Sequence, residues 1–134
     1  MRYIVFLKSI ELNHTIVWYR DQQQSADFLA NVPGLPAPRR FMHFQVVDLA
    51  NRVSLDDYES AEHLALQHDA FLAGDAKFDL IHARLRAQDI AVWAGPARSQ
   101  PGQSNHHFGG RSVYFQDPDG HLLEISTRPY GNTA

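Results

Sequence analysis

Between residues 76 and 88, Phe78, Ile81 and Leu85 recur at i, i+3 and i+7, a spacing that lays three apolar side chains along one helical face. The pattern predicts a core-facing helix from about Ala76 to Gln88. A counterpart is predicted from about Gln22 to Val32. Asp21 precedes the first and Asp75 the second, and either carboxylate can accept the first free backbone N–H groups and so cap its helix. Outside these helices the period falls to two. Strands are predicted over Phe41–Val47, Arg52–Asp56, Ile90–Trp93, Ser112–Gln116 and His121–Thr127, with Gly34-Leu35-Pro36 as a turn and Gly95–Gly110 as a long Gly/Pro/Ser-rich loop. Asp117-Pro118-Asp119-Gly120 predicts a tight hairpin, because Pro fixes φ and Gly is free to take positive φ.

The two halves share more than their order of elements. Leu12-Asn13-His14 followed by Asp21 returns 54 residues later as Leu66-Gln67-His68 followed by Asp75. An internal repeat decides the architecture before anything else, and each half reads as strand, helix and about three strands. Overlaying the hairpins sets Val46–Asp56 over Tyr114–Glu124, and so Asp56 over Glu124. Side chains two apart on a strand share a face. His14, Ile16 and Trp18 therefore line one face, as do His68, Ala70 and Leu72. Tyr114 aligns with Gln116, and Leu122 with Glu124 and Ser126, while Val113, Phe115, Leu123 and Ile125 face the helices. A carboxylate set within Leu122-Leu123-Glu124-Ile125 needs a partner, since an unpaired buried charge is costly. A metal ion or an arginine would each supply one.

Composition narrows the chemistry. The 134 residues fit one domain, 1–134, with modules of about 9–58 and 62–128. Twelve Lys+Arg against 15 Asp+Glu give a net charge of −3 with no basic run, which argues against a nucleic-acid groove. The absence of Cys excludes disulfides and thiolate-held zinc or iron–sulfur centres, so any metal must sit on nitrogen and oxygen ligands. The apolar run Tyr3–Leu7 is too short for a signal sequence or a membrane span. It reads as an extra strand or a start-site extension, with the cytoplasm as the expected location. Eight dispersed histidines invite a chemical explanation. His82 reads as a surface residue, His63 as a loop residue, His106 as exposed or as a support behind the site rather than a ligand, and His121 as a cap on the hairpin.

The segment from Asn105 to Glu124 resembles the C-terminal signature of type I extradiol ring-cleaving dioxygenases: a His, a spacer, an apolar residue and Tyr, then Asp-Pro-x-Gly and a Glu. His107, Val113, Tyr114, Asp117, Pro118, Gly120 and Glu124 fit it. The wider glyoxalase/bleomycin-resistance/dioxygenase superfamily, the vicinal oxygen chelate fold, carries the same hairpin, and the resemblance covers about residues 10–131. It implies an α+β fold of two tandem βαβββ modules forming a cup-shaped mixed sheet with helices on the outside. It implies metal ligands at His14, His68 and Glu124, the set of two imidazoles and one carboxylate suited to Fe(II) or Mn(II), with Zn(II) or Ni(II) as alternatives. Tyr114 and His107 take catalytic roles beside the metal. Asp56 matches the extra carboxylate ligand of glyoxalase I but is one methylene shorter, and it is assigned to the substrate or to a base role, with His43, Trp18 and Arg111, which reads equally as a substrate clamp or as an ion-pair partner of a nearby carboxylate. The ring-cleaving enzymes carry an acid–base His on the strand that here reads Arg52-Val53-Ser54-Leu55-Asp56-Asp57, and this chain has none there. A homodimer and a small ligand, oxygenated or aromatic, complete the expectation. Its two functional forms are a metal-dependent enzyme, with extradiol-type oxygenation first and lyase, isomerase or thiol-transferase chemistry second, and a protein that sequesters an antibiotic or another natural product without turnover.

Overall fold

The fold is seen in a computed structural model that describes residues 10–62 and 64–129. The Tyr3–Leu7 run and His63 lie outside the described residues. In the first module β1 (His14–Tyr19) leads into α1 (Gln22–Asn31), then β2 (Arg39–Phe41), β3 (Phe44–Asp48) and β4 (Ser54–Glu59). The second has β5 (His68–Leu72), α2 (Asp75–Ala87), β6 (Ser112–Gln116) and β7 (Leu122–Ser126), with a short 3-10 turn over His107–Gly109. The strand expected at Ile90–Trp93 is reduced to bridges from Trp93 to Tyr114 and to Pro101, since the Gly/Pro-rich loop after it breaks the pairing.

Both sheets have the same plan. One has the order β1-β4-β3-β2 and the other β5-β7-β6. The first strand of each module runs parallel to the last, and the remaining pairs are antiparallel. Register confirms the overlay of the halves: Ile16 pairs with Asp56 where Ala70 pairs with Glu124. Two mixed sheets and two helices make the α+β class expected. Strands and helices start within about two residues of their predicted limits, except that β4 runs on to Glu59 and Met42-His43 form a turn that splits the strand expected at 41–47.

The two helix starts differ. Asp21 caps α1, its carboxylate accepting the Gln24 N–H at 3.0 Å. Asp75 does not repeat this: it is the first residue of α2, the cap position falls to Gly74, and no side chain caps. The Asp75 carboxylate is drawn instead to Arg111 at 3.0 Å.

One core serves both modules. Val17, Ala26, Leu29, Val47 and Leu55 from the first pack in the same cluster as Phe78, Ile81, Leu85, Val113, Phe115, Leu123 and Ile125 from the second. The Phe28 ring on α1 lies 6.4 Å from Phe115 on β6, and Arg84 on α2 donates to the Val32 carbonyl at the end of α1. Gly34, with φ +78°, turns the chain tightly under that arginine, since a Cβ there would stand 2.6 Å from Arg84 Nη1. The hairpin of residues 117–120 is sewn to the end of β1. Tyr19 donates to Asp117 Oδ2 at 2.8 Å, and the Arg20 N–H donates to Asp119 at 2.8 Å.

Candidate functional site

Alternation along four neighbouring strands builds a concavity on the first sheet. His14 of β1, Ser54 and Asp56 of β4, Phe44 and Val46 of β3, and Arg39 and Phe41 of β2 line it with Asn13, enclosing about 320 Å³. Asp56 is half-buried, and Ser54 Oγ donates to its Oδ1 at 2.7 Å. Arg39, at the rim, pairs with Asp48 at 2.7 Å. Trp18, on the same strand face as His14, meets Tyr58 edge-on at 5.2 Å, and Tyr58 meets Phe44 at 5.3 Å. These three rings stand toward the other end of the sheet from His14, and of them only Phe44 lines the concavity.

The second sheet places its polar groups differently. Glu124 is completely buried, yet His68 Nε2 lies 3.1 Å from its Oε1 with 38% of the His68 side chain exposed. Ser126 Oγ donates to Glu124 Oε2 at 2.8 Å, and Ser112 Oγ lies 2.6 Å from Ser126 Oγ. Tyr114 stands directly opposite Glu124 in register, its ring 5.7 Å from the His68 imidazole. A carboxylate with no solvent access is stable only when hydrogen-bonded, and this one is gripped on both oxygens. An imidazole nitrogen and a carboxylate oxygen meeting at an exposed edge are a chemically sound pair of donors for a divalent cation.

Of the residues predicted for the site, His14 and Asp56 come together on one sheet, and His68, Glu124 and Tyr114 on the other. Within the chain the two sets stay apart: among the described residues no group of three or more His, Asp or Glu side chains could hold a metal. For Arg111 the ion-pair reading is the one the structure shows. Its guanidinium pairs with Asp79 at 2.7 Å and with Asp75, and lies 4.4 Å over the Phe78 ring. It shares strand parity with Val113 and faces α2 rather than the ligand face. His43 is exposed in the β2–β3 turn. Since Gln45 pairs with Asp57 and Asp48 with Ser54, that turn lies at the opposite end of the sheet from His14. His107 opens the 3-10 turn, its N–H donating to Asn105 Oδ1, where the loop folds back through an Asn105–Ser112 bridge.

A buried polar cluster between the modules carries no signal in the sequence pattern. His121 is not a simple hairpin cap. It is fully buried, accepts the Gln67 N–H at Nδ1 and donates from Nε2 to the Trp18 carbonyl at 2.8 Å, so it is the neutral Nε2–H tautomer. Burial and the neighbouring Asp117 and Asp57 carboxylates push the Tyr19 hydroxyl above its usual range. Burial also raises Asp117. Asp57, fully buried with neither carboxylate oxygen hydrogen-bonded, is pushed up to about 8 by burial and by Asp117, Asp69 and Asp56. Its neighbour Asp56 lies on the opposite face of β4, which alternation alone forecasts. Half-buried His82 stacks on Phe78 at 6.0 Å, closer to the core than a surface residue.

Residues 11–125 match the family described as the Glyoxalase/Bleomycin resistance protein/Dioxygenase superfamily. The solved structure of Oxidase ChaP-H1 is 50% identical, with a TM-score of 0.90, covering 92% of this chain and 100% of that one. Oxidase ChaP-H2 is 44% identical with a TM-score of 0.89, covering 94% and 99%. The metallothiol transferase FosB of Lysinibacillus sphaericus (strain C3-41) is 27% identical, covering 87% of this chain and 81% of its own length.

Proposed function

The chain belongs to the glyoxalase/bleomycin resistance protein/dioxygenase superfamily, and on that premise we propose that it is a metal-dependent oxidising enzyme acting on a small, oxygenated aromatic substrate. The observation that carries the reading is the buried Glu124 carboxylate held 3.1 Å from the partly exposed His68 imidazole. Similarity to two oxidases at 50% and 44% identity supports oxidation, and similarity to a metallothiol transferase supports a metal. Extradiol-type insertion of oxygen is the specific form we favour, with Fe(II) or Mn(II).

His68 and Glu124 are two ligands, and the third in this proposal is His14 of a second copy. Ile16 and Leu72 are 40% and 64% exposed on the same strand faces as His14 and His68, and among the described residues β1 and β5 are edge strands of their sheets. A homodimer that sets the first sheet of one copy against the second sheet of the other covers these surfaces and unites the ligands. When bound, the metal supplies Lewis acidity and a place for vicinal oxygens and dioxygen to meet. The protein's own contribution is orientation and proton handling. Trp18, Tyr58, Phe44 and Phe41 present flat apolar surface to an aromatic body, Asp56 accepts a substrate hydroxyl or its proton, and the Tyr114 hydroxyl hydrogen-bonds the substrate beside His68.

His68→Ala should abolish stoichiometric Mn(II) binding, read by calorimetry, while circular dichroism shows the fold intact. Full metal occupancy in that variant would defeat the ligand assignment. Tight, metal-independent binding of an unaltered aromatic ligand, with no oxygen consumed over a catechol panel, would leave a sequestering protein in place of the enzyme.

A further inference from the structure

The two modules hold their equivalent carboxylates in different ways. In the first, Asp56 receives one hydroxyl, Ser54, from two residues before it. The positions that correspond to Ser112 and Ser126 are Phe44 and Tyr58, two rings in contact at 5.3 Å. In the second, the carboxylate is gripped from two residues after it: Ser126 Oγ donates to Glu124 Oε2, and Ser112 Oγ lies 2.6 Å from Ser126 Oγ. Ser112 and Ser126 pair directly across β6 and β7, and both are buried. Each hydroxyl has one proton. With the Ser126 proton committed to Glu124, the short contact requires Ser112 to donate to Ser126. The chain of donors therefore runs one way, Ser112 to Ser126 to Glu124, and each bond strengthens the next.

We infer that Ser126, backed by Ser112, is a positioning relay that occupies Oε2 of Glu124 and turns Oε1 alone toward His68, so that the carboxylate binds a metal through one oxygen. This rests on the proposed metal site. A free carboxylate can swing to bind a cation through both oxygens, whereas a carboxylate with one oxygen tied to a buried hydroxyl chain cannot do so without breaking it. Outer hydrogen bonds of this kind orient metal ligands, and their loss costs about 10- to 100-fold in metal affinity. Asp56, half-buried on an interior strand, has the single Ser54 donor with no second hydroxyl behind it, and is left to respond to substrate.

The test uses the full-length protein, with Mn(II) affinity from calorimetry and the visible absorption of bound Co(II), which reports ligand number and geometry. Ser126→Ala should weaken Mn(II) about 10-fold and change the Co(II) bands, while Ser126→Thr, which keeps the hydroxyl, should restore both. Ser112→Ala removes only the outer donor and should act in the same direction with a smaller change. It serves as the readout if Ser126→Ala does not fold. Unchanged Mn(II) affinity and Co(II) bands in both alanine variants would overturn the relay while leaving the metal site standing. Wild-type protein that binds neither ion would overturn the metal site and the relay with it.

Discussion

At the scale of single residues, Asp57 is the least expected group in the molecule. The folded chain holds a proton on it up to about pH 8, whereas the unfolded chain releases that proton near an ordinary carboxyl value of 3.8. The folded state therefore binds more protons throughout that interval, and stability falls as pH rises from about 4 to 8. Asp57→Asn removes the ionisation with little change of shape. It should leave stability nearly unchanged at pH 4 and raise it on the order of 2–3 kcal/mol at pH 8.5, less than the full linkage because the site relaxes around the charge. Urea unfolding at both values checks this, and equal gains at the two would remove the ionisation account.

Legibility at this scale depends on repetition and parity. His14, His68, Asp56 and Glu124 stand out in the sequence because each has a counterpart one module away. Arg111, which reads as a substrate clamp or an ion-pair partner, is an ion-pair partner because parity places it with Val113, on the face toward Asp75, Phe78 and Asp79. Asp57 and His121 carry no such signal. Their surroundings come from Asp117, Gln67 and Trp18, and a strand pattern tells which face a side chain takes but not what stands opposite.

Among the elements, the repeat is faithful in topology and unfaithful in detail. Periodicity locates α2 because Phe78, Ile81 and Leu85 must reach the core, and the repeat with Asp21 locates α1, whose Ala26, Leu29 and Val32 join the same cluster. The repeat does not tell the caps apart, since Asp21 and Asp75 occupy equivalent places in it, but in the fold Asp21 is the cap while Asp75 is the first helical residue and is bonded to Arg111. Asp21→Ala should lower stability by about 1 kcal/mol through loss of its bond to Gln24. Asp75→Ala should cost about 0.5 kcal/mol, because it loses an exposed ion pair and a charge in the first turn but no cap. Parallel denaturation curves decide this, and equal losses would show that the two helix starts are energetically alike. The weak strand at Trp93 has a comparable cause: its pairing is limited by the residues next in the chain, where Gly95, Pro96 and Pro101 leave little backbone to continue a ladder.

For the whole molecule, the separation of the His14–Asp56 and His68–Glu124 pairs is not legible from sequence. The repeat places equivalent residues on equivalent strands, but the relation between the two sheets depends on how the helix-bearing faces pack together. The dimer proposal has a direct consequence for mixtures. His14→Ala and His68→Ala chains should each bind no metal alone. After unfolding and refolding together, a mixed dimer carries one intact set, His14 from one copy and His68 with Glu124 from the other. Random pairing under two-fold symmetry should restore about a quarter of the wild-type sites. Calorimetry with Mn(II) reads the recovery, and no recovery from a mixture of confirmed dimers would place all three ligands in one chain.

The stitch between Tyr19 and Asp117 also has a consequence for the order in which the chain is made. The Tyr19 side chain is buried in the finished protein, but its hydrogen-bond partner is encoded 98 residues later. At common elongation rates that interval is about 5–20 s, during which the first half has left the ribosome without the hairpin that closes it. Once β4 is made it can pair with β1 and bring Tyr58 to Trp18, but the Tyr19 hydroxyl and the Arg20 N–H lack their hairpin acceptors for that time. Nascent chains of this protein therefore pass through a window in which a chaperone, or the same strand of a neighbouring nascent chain on the same message, can reach β1 before its own C-terminal hairpin does.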